Sequence, residues 1–212
     1  MQFFVLTQEL IANSQRARTD VLKADGTNYG DAPRCPACGR YIGMRQWIKP
    51  YCVEMETWGS EFADMAITGT DLLVSLHFMN AWQLSGLAGL SGFEDVKVVK
   101  LKNHDKSIGE APAYFRAMVH RSQTEINLTL SGFQWDSPPT CPVCRLGGII
   151  KRWKSVVIDA ETWIGEDIFI ARGLPGEIIV SERFKKFCEL NCMKNISLLS
   201  ADTYGHDFYP SL

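Results

Sequence analysis

Two short motifs, Cys35-Pro36-Ala37-Cys38-Gly39 and Cys141-Pro142-Val143-Cys144-Arg145, stand 106 positions apart and constrain this chain more than any other feature. Two cysteines separated by two residues can reach one metal ion from a tight turn. Two such turns supply the four thiolates of a closed tetrahedral site. Proline and a small residue between the cysteines favour the turn, and Gly39 stands where a positive φ is often needed. Either motif alone is a weak signal. Together they make Cys35, Cys38, Cys141 and Cys144 the candidate ligands, with zinc ahead of iron as the metal. A thioredoxin-type redox site would place its first thiol at a helix N-terminus. Here each turn is followed by aromatic, strand-like sequence, which speaks against that chemistry.

The motifs belong to a longer internal repeat. Trp47 follows Cys38 at the interval by which Trp153 follows Cys144. With one gap, Val53-Glu54-Met55-Glu56-Thr57-Trp58 matches Ile158-Asp159-Ala160-Glu161-Thr162-Trp163. Asp71-Leu72-Leu73-Val74-Ser75 then matches Glu177-Ile178-Ile179-Val180-Ser181, and Phe78 matches Phe184. Two copies are too few for a solenoid. The expectation is an α+β fold of two pseudo-symmetric repeats, residues about 2–96 and 112–200, forming one globular unit over 1–212. The halves would share a zinc-ribbon-like metal site, with Trp47 and Trp153, and Trp58 and Trp163, in equivalent places.

Local patterning fills in the halves. Residues 2–6 read as a strand, followed by a polar stretch at Asn13-Ser14-Gln15-Arg16 and a turn-rich one from Asp25 to Asp31. Residues 45–58 alternate as strands do, with Trp47, Tyr51, Val53 and Met55 on the apolar face. Asp71 to Leu84 reads as a short strand or loop leading into a helix, with Ser75 as N-cap and Phe78 and Trp82 on one face. Ser181, Phe184 and Phe187 repeat that arrangement. Val96 to Leu101 is a further strand, and Tyr114 to Val119 opens the second half as Phe3 opens the first.

Composition limits what such a chain does. It has 212 residues, enough for a proper core, and 46% of them are hydrophobic. A net charge of −2 gives no electrostatic footprint for nucleic acid or an anionic membrane. No stretch approaches the length of apolar sequence that spans a bilayer, and the N-terminal apolar run is too short for a signal peptide. Seven cysteines, four in metal spacing, point to a reducing, cytoplasmic compartment. Cys52, Cys188 and Cys192 read as small buried hydrophobes, the last two sharing a helix.

Catalytic patterns are missing from the sequence. His77, His104, His120 and His206 are scattered, and there is no nucleophile elbow, phosphate loop or dinucleotide fingerprint. Glu54 with Glu56, and Asp159 with Glu161, would each project from one face of a strand. A catalytic reading would make them metal ligands or an acid/base pair; the favoured reading is a solvated face, with an acidic surface for a basic partner as the third. The basic candidates, Lys97, Lys100 and Lys102 and the group Lys151, Arg152 and Lys154, have acidic residues close by. The chain therefore reads as a binding protein and not an enzyme.

The double dicysteine turn, the Glu-Thr-Trp segments and the Leu-Leu-Val-Ser and Ile-Ile-Val-Ser helix starts resemble the myxobacterial paralogous double-CXXCG family over nearly the whole chain. The first motif matches in full; in the second, Arg145 replaces the final glycine. The resemblance implies an immunity protein that binds and neutralises a cognate bacterial toxin, often a nuclease, with Cys35, Cys38, Cys141 and Cys144 holding a structural zinc. The competing reading is a zinc-ribbon module that binds nucleic acid or regulates transcription, which calls for a basic stripe with interleaved aromatics.

Overall fold

Alternation along Phe3-Phe4-Val5-Leu6 sends Phe4 and Leu6 to one side of a strand and Phe3 and Val5 to the other, and both sides are buried. The computed structural model describes residues 2–8, 17–23, 28–69, 71–104 and 109–208. The polar stretch at 13–16 and residues 25–27 of the turn-rich stretch lie outside these. In chain order the first strands are β1 (Phe3–Thr7), β2 (Arg18–Lys23), β3 (Asn28–Tyr29), β4 (Trp47–Ile48), β5 (Cys52–Trp58), β6 (Met65–Thr68) and β7 (Asp71–Ser75). Helix α1 (Leu76–Ser85) leads to β8 (Leu90–Asn103), β9 (Tyr114–Val119), β10 (Arg121–Glu125), β11 (Gln134–Trp135) and β12 (Ile150–Trp153). Then come β13 (Ile168–Arg172), β14 (Ile179–Ser181), helix α2 (Glu182–Leu190), β15 (Ser197–Ser200) and β16 (His206–Asp207). The class is α+β, mostly sheet with two helices. No helix among the described residues is long and apolar enough to cross a membrane.

Two larger sheets organise the molecule, in the orders β2-β5-β8-β9-β7-β6 and β10-β13-β14-β1-β15. Smaller ones are β11-β12-β16 and the pair β3-β4. Strand β1 is antiparallel to β14 and β15, with Phe3 opposite Ser181 and Thr7 opposite Ser197. Strand β9 is placed likewise against β7 and β8, with Tyr114 opposite Ser75 and Met118 opposite Ser91. The strand that begins the chain therefore sits in the sheet built from its end. The strand from the middle completes the sheet of the first half.

Period two divides the apolar residues among three cores. Leu72 and Val74 of β7 join Phe4, Leu6, Ile178 and Val180 in a central core, which both helices enter. There Phe78 meets Phe187 edge-on at 5.5 Å, and Trp82 meets Phe184 at 6.2 Å. Leu73 points the other way, into a core with Trp47, Tyr51, Val53 and Met55. Ile179 does the same opposite it, with Phe3, Val5 and Trp153. Trp47 and Trp153 thus each lie on the outer side of a large sheet.

The helix starts follow the sequence reading. The Ser75 hydroxyl accepts the Phe78 N–H at 3.1 Å and the Ser181 hydroxyl accepts the Phe184 N–H at 3.2 Å, each cap contributing about 1 kcal/mol. Helix α1 ends at Gly86, whose φ of 67° closes it in the left-handed conformation. Helix α2 stops at Leu190, so Cys192 falls outside it, at φ 50° and exposed, contrary to the buried helical position expected. Cys188 is buried as expected and Cys52 partly so.

A second difference concerns the Glu-Thr-Trp segments. The first is the seven-residue strand β5, but the second is a turn. The Thr162 N–H and hydroxyl both donate to the Asp159 carbonyl, at 3.0 and 2.8 Å, and the Asp159 carboxylate takes the Glu161 N–H. An aspartate able to bond its own backbone two residues on favours this turn over extension. Asp159 and Glu161 therefore share no strand face, and Trp58 and Trp163 have no common secondary structure.

One buried ion pair ties the six-stranded sheet together. Arg116 of β9 meets Asp71 of β7 at 3.1 Å, with both side chains largely buried, and reaches the Tyr51 hydroxyl at 3.2 Å. Tyr51 in turn donates to Glu94 at 2.6 Å. Arg116→Met should cost about 3–5 kcal/mol, because it leaves the buried Asp71 carboxylate without its ion-pair partner. Urea titration monitored by tryptophan fluorescence measures it.

Candidate metal centre

Each cysteine turn closes on its own backbone. In the first, the Gly39 N–H donates to the Cys35 carbonyl at 2.9 Å and the Cys35 N–H to the Arg40 carbonyl at 2.8 Å. In the second, the Arg145 N–H donates to the Cys141 carbonyl at 3.0 Å. Gly39 has φ 73° and Arg145 has φ 58°, so the non-glycine residue adopts the same left-handed conformation at a steric cost of about 1–2 kcal/mol. Compensation comes from its side chain, which pairs with Glu125 and donates to the Ile126 carbonyl at 3.2 Å.

The turns meet. Cys35 Sγ lies 3.8 Å from Cys141 Sγ and Cys38 Sγ lies 3.7 Å from Cys144 Sγ, and all four sulfurs are within 4.8 Å of one another. A tetrahedron of thiolates around zinc at 2.3 Å has edges of about 3.8 Å, so the donor set fits a single ion. Among the described residues, no other group of three or more His, Cys, Asp or Glu side chains lies close enough to share a metal. Cys35 and Cys144 are buried, Cys38 is exposed and Cys141 lies between, so the site is half-sunk in the surface.

Arginines brace it from every side. Arg40 of the first turn donates to the Gly147 carbonyl after the second. Arg121 of β10 donates to the Ile42 carbonyl at 2.6 Å. Arg172 of β13 donates to the Val143 and Pro142 carbonyls at 2.5 and 2.8 Å and meets Glu125 at 3.0 Å. Leu146 and Ile42 pack against Cys35 and Cys144. These bonds tie the loops of the two turns to each other and to strands β10 and β13.

The backbone also prepares the ligands unequally. The N–H groups of Cys144 and Val143 point at Cys141 and lower its thiol to about 6, whereas burial pushes Cys144 up to about 12. A bound metal would deprotonate all four outright. No protein-family model matches this chain, and no curated protein matches its sequence. The centre therefore stands on its own geometry.

The remaining sequence candidates are distributed elsewhere. Glu54 and Glu56 do share a face of β5, but each is neutralised from the parallel strand β8. Lys100 lies 3.0 Å from Glu54, while Lys102 and His104 lie 3.5 and 2.8 Å from Glu56. The acidic pair and most of the first basic run cancel on one sheet. His77 faces Asp64 and His120 faces Glu166, so the histidines come together at no common point. The bracing arginines escaped the sequence reading. The available signal was the arginine at the glycine position of the second motif.

Proposed function

We propose that the four cysteines hold a structural zinc, that the chain is a duplicated unit folded around it, and that the protein acts by binding. In this reading it is an immunity protein that neutralises a toxin by stoichiometric association. The observation that carries it is the closed donor set: four thiolates fill the tetrahedron and leave no position for a substrate. Such a centre staples two distant turns together, as a rigid binding scaffold needs. The resemblance to the double-CXXCG family supports the choice of partner.

The duplication draws support from the matched registers of β1 and β9, the matched helix caps and the outward placement of Trp47 and Trp153. In this reading the halves exchange their opening strands, and the Glu-Thr-Trp segments are where the copies diverged. Zinc leaves the site colourless, whereas ferric iron in four thiolates absorbs visible light, so a spectrum with elemental analysis separates the two.

A second reading, nucleic-acid binding, has one observation in its favour. Lys151, Arg152 and Lys154 form no ion pair with a carboxylate among the described residues, and they adjoin the aromatic cluster of Phe133, Trp135 and Trp153. Co-expression with the product of the neighbouring gene tests the immunity reading. Restored growth and co-elution on size exclusion are expected. Unrelieved toxicity with salt-dependent DNA binding would instead favour the second reading.

A further inference from the structure

Beside the second cysteine turn a groove of about 600 Å³ opens between the metal centre and the three-stranded sheet. Tyr41, Trp135, Leu146, Ile149, Leu174 and Phe208 line it. Three of these are unusually bare for their type: Ile149 is 62% exposed, Tyr41 55% and Phe208 51%. Apolar side chains gathered around one concavity mark an interaction surface, where scattered ones would not.

Of the side chains that line it Arg40 and Glu177 carry charge, and Arg34 and Lys151 adjoin it through Tyr41 and Phe208. Elsewhere in the molecule Arg18, Lys49, Lys100, Lys102, Arg116 and Arg183 each face a carboxylate, while Arg45 and Arg121 bond backbone carbonyls. Arg34, Arg40 and Lys151 face none among the described residues. The Arg34 guanidinium lies 3.8 Å over the Tyr41 ring and Arg40 is spent on the Gly147 carbonyl. Lys151 lends only its backbone carbonyl, which accepts the Phe208 N–H at 3.0 Å. The nearby acids are otherwise engaged. Asp136 accepts the Ile149 N–H at 2.8 Å, and Glu177 of the groove wall, its pKa raised by burial, is hydrogen-bonded with Tyr204.

We infer that this groove docks an acidic segment of a protein partner that carries an apolar side chain. The inference rests on the binding-protein reading above and names the chemistry of the partner. The apolar side chain enters between Ile149, Leu146 and Phe208. Flanking carboxylates meet the cations at the rim, which steer the encounter and fix its register. Leu146, Ile149 and Leu174 give the groove an aliphatic lining suited to such a side chain, beside the aromatic Tyr41, Trp135 and Phe208.

Fluorescence anisotropy on the metal-loaded full chain tests this with four labelled probes. These are a short polyglutamate peptide with a central Leu-Leu, the same peptide with Gly-Gly, a polylysine version and single-stranded oligothymidylate. The acidic Leu-Leu peptide should bind roughly tenfold more tightly than each of the others and lose affinity with added salt. Lys151→Glu should weaken it, and Ile149→Ser should abolish the preference for Leu-Leu, both with unchanged metal content. No binding by that peptide, equal binding by the Gly-Gly peptide, or tighter binding by oligothymidylate overturns the inference. Any of these leaves rescue from the toxin, measured separately by co-expression, to decide the immunity reading.

Discussion

Replacing any one of Cys35, Cys38, Cys141 or Cys144 with serine is expected to strip one metal ion from the chain and lower its melting temperature by roughly 10 °C. The size of the effect follows from what the site joins. The two turns are 106 positions apart, and few direct contacts connect them besides the sulfurs, the Arg40 bond to Gly147 and the packing of Leu146. The three apolar cores do not depend on the metal, so the chain should survive without it. A loss of about 4 kcal/mol is in keeping with closing so long a loop, and it corresponds to that shift in a chain of this length. Chelation of the wild type should match the serine variants, and acidification should release the metal because protons compete for the thiolates. Plasma emission spectroscopy paired with calorimetry provides both readouts. A metal-free wild type melting with the loaded form would remove the staple from the account.

How much of this was legible in the sequence depended on how local the determinant was. The cysteine turns, the helix caps at Ser75 and Ser181 and the buried alternation of Val53 and Met55 are fixed by neighbours a few residues away, and the sequence pattern found them. The match of Val53–Trp58 with Ile158–Trp163 misled about local structure. Composition is shared, but Asp159 bonds its own backbone where Glu54 instead pairs with Lys100 across the sheet. Strand pairing was beyond reach for a similar reason. Nothing in Phe3 to Thr7 distinguishes a partner at residue 181 from one at residue 75, since both neighbouring strands are equally apolar. The arginine brace is likewise long-range, joining Arg172 to a turn 29 residues away and Arg121 to one 79 away. Cys192 shows the opposite failure, where helical spacing with Cys188 suggested a helix that ends two residues short of it.

Asp64→Asn and Asp167→Asn should each destabilise the fold by about 2–4 kcal/mol, and by amounts that agree within about 1 kcal/mol. The two carboxylates make the same set of bonds in the two halves. Asp64 accepts the Ser75 hydroxyl at 2.7 Å and the Lys194 N–H at 3.0 Å; Asp167 accepts the Ser181 hydroxyl at 2.7 Å and the Ala88 N–H at 3.1 Å. Each also faces the side chain two residues past its serine, His77 at 3.1 Å and Arg183 at 3.3 Å. Each of these aspartates holds the serine that caps one helix and, with its second oxygen, an N–H just past the end of the other helix. An asparagine in the same place keeps one acceptor but turns an N–H₂ toward a buried N–H, leaving a donor unsatisfied. The Arg183 pair adds little to the difference, because its guanidinium is largely in water. Equal costs are what a duplicated unit requires, since each half would then have inherited the same aspartate, serine and donating amide. Denaturant titration of the two variants decides it: a near-neutral effect at one site beside a large effect at the other would mean that the resemblance between the halves is confined to geometry and does not extend to their energetics.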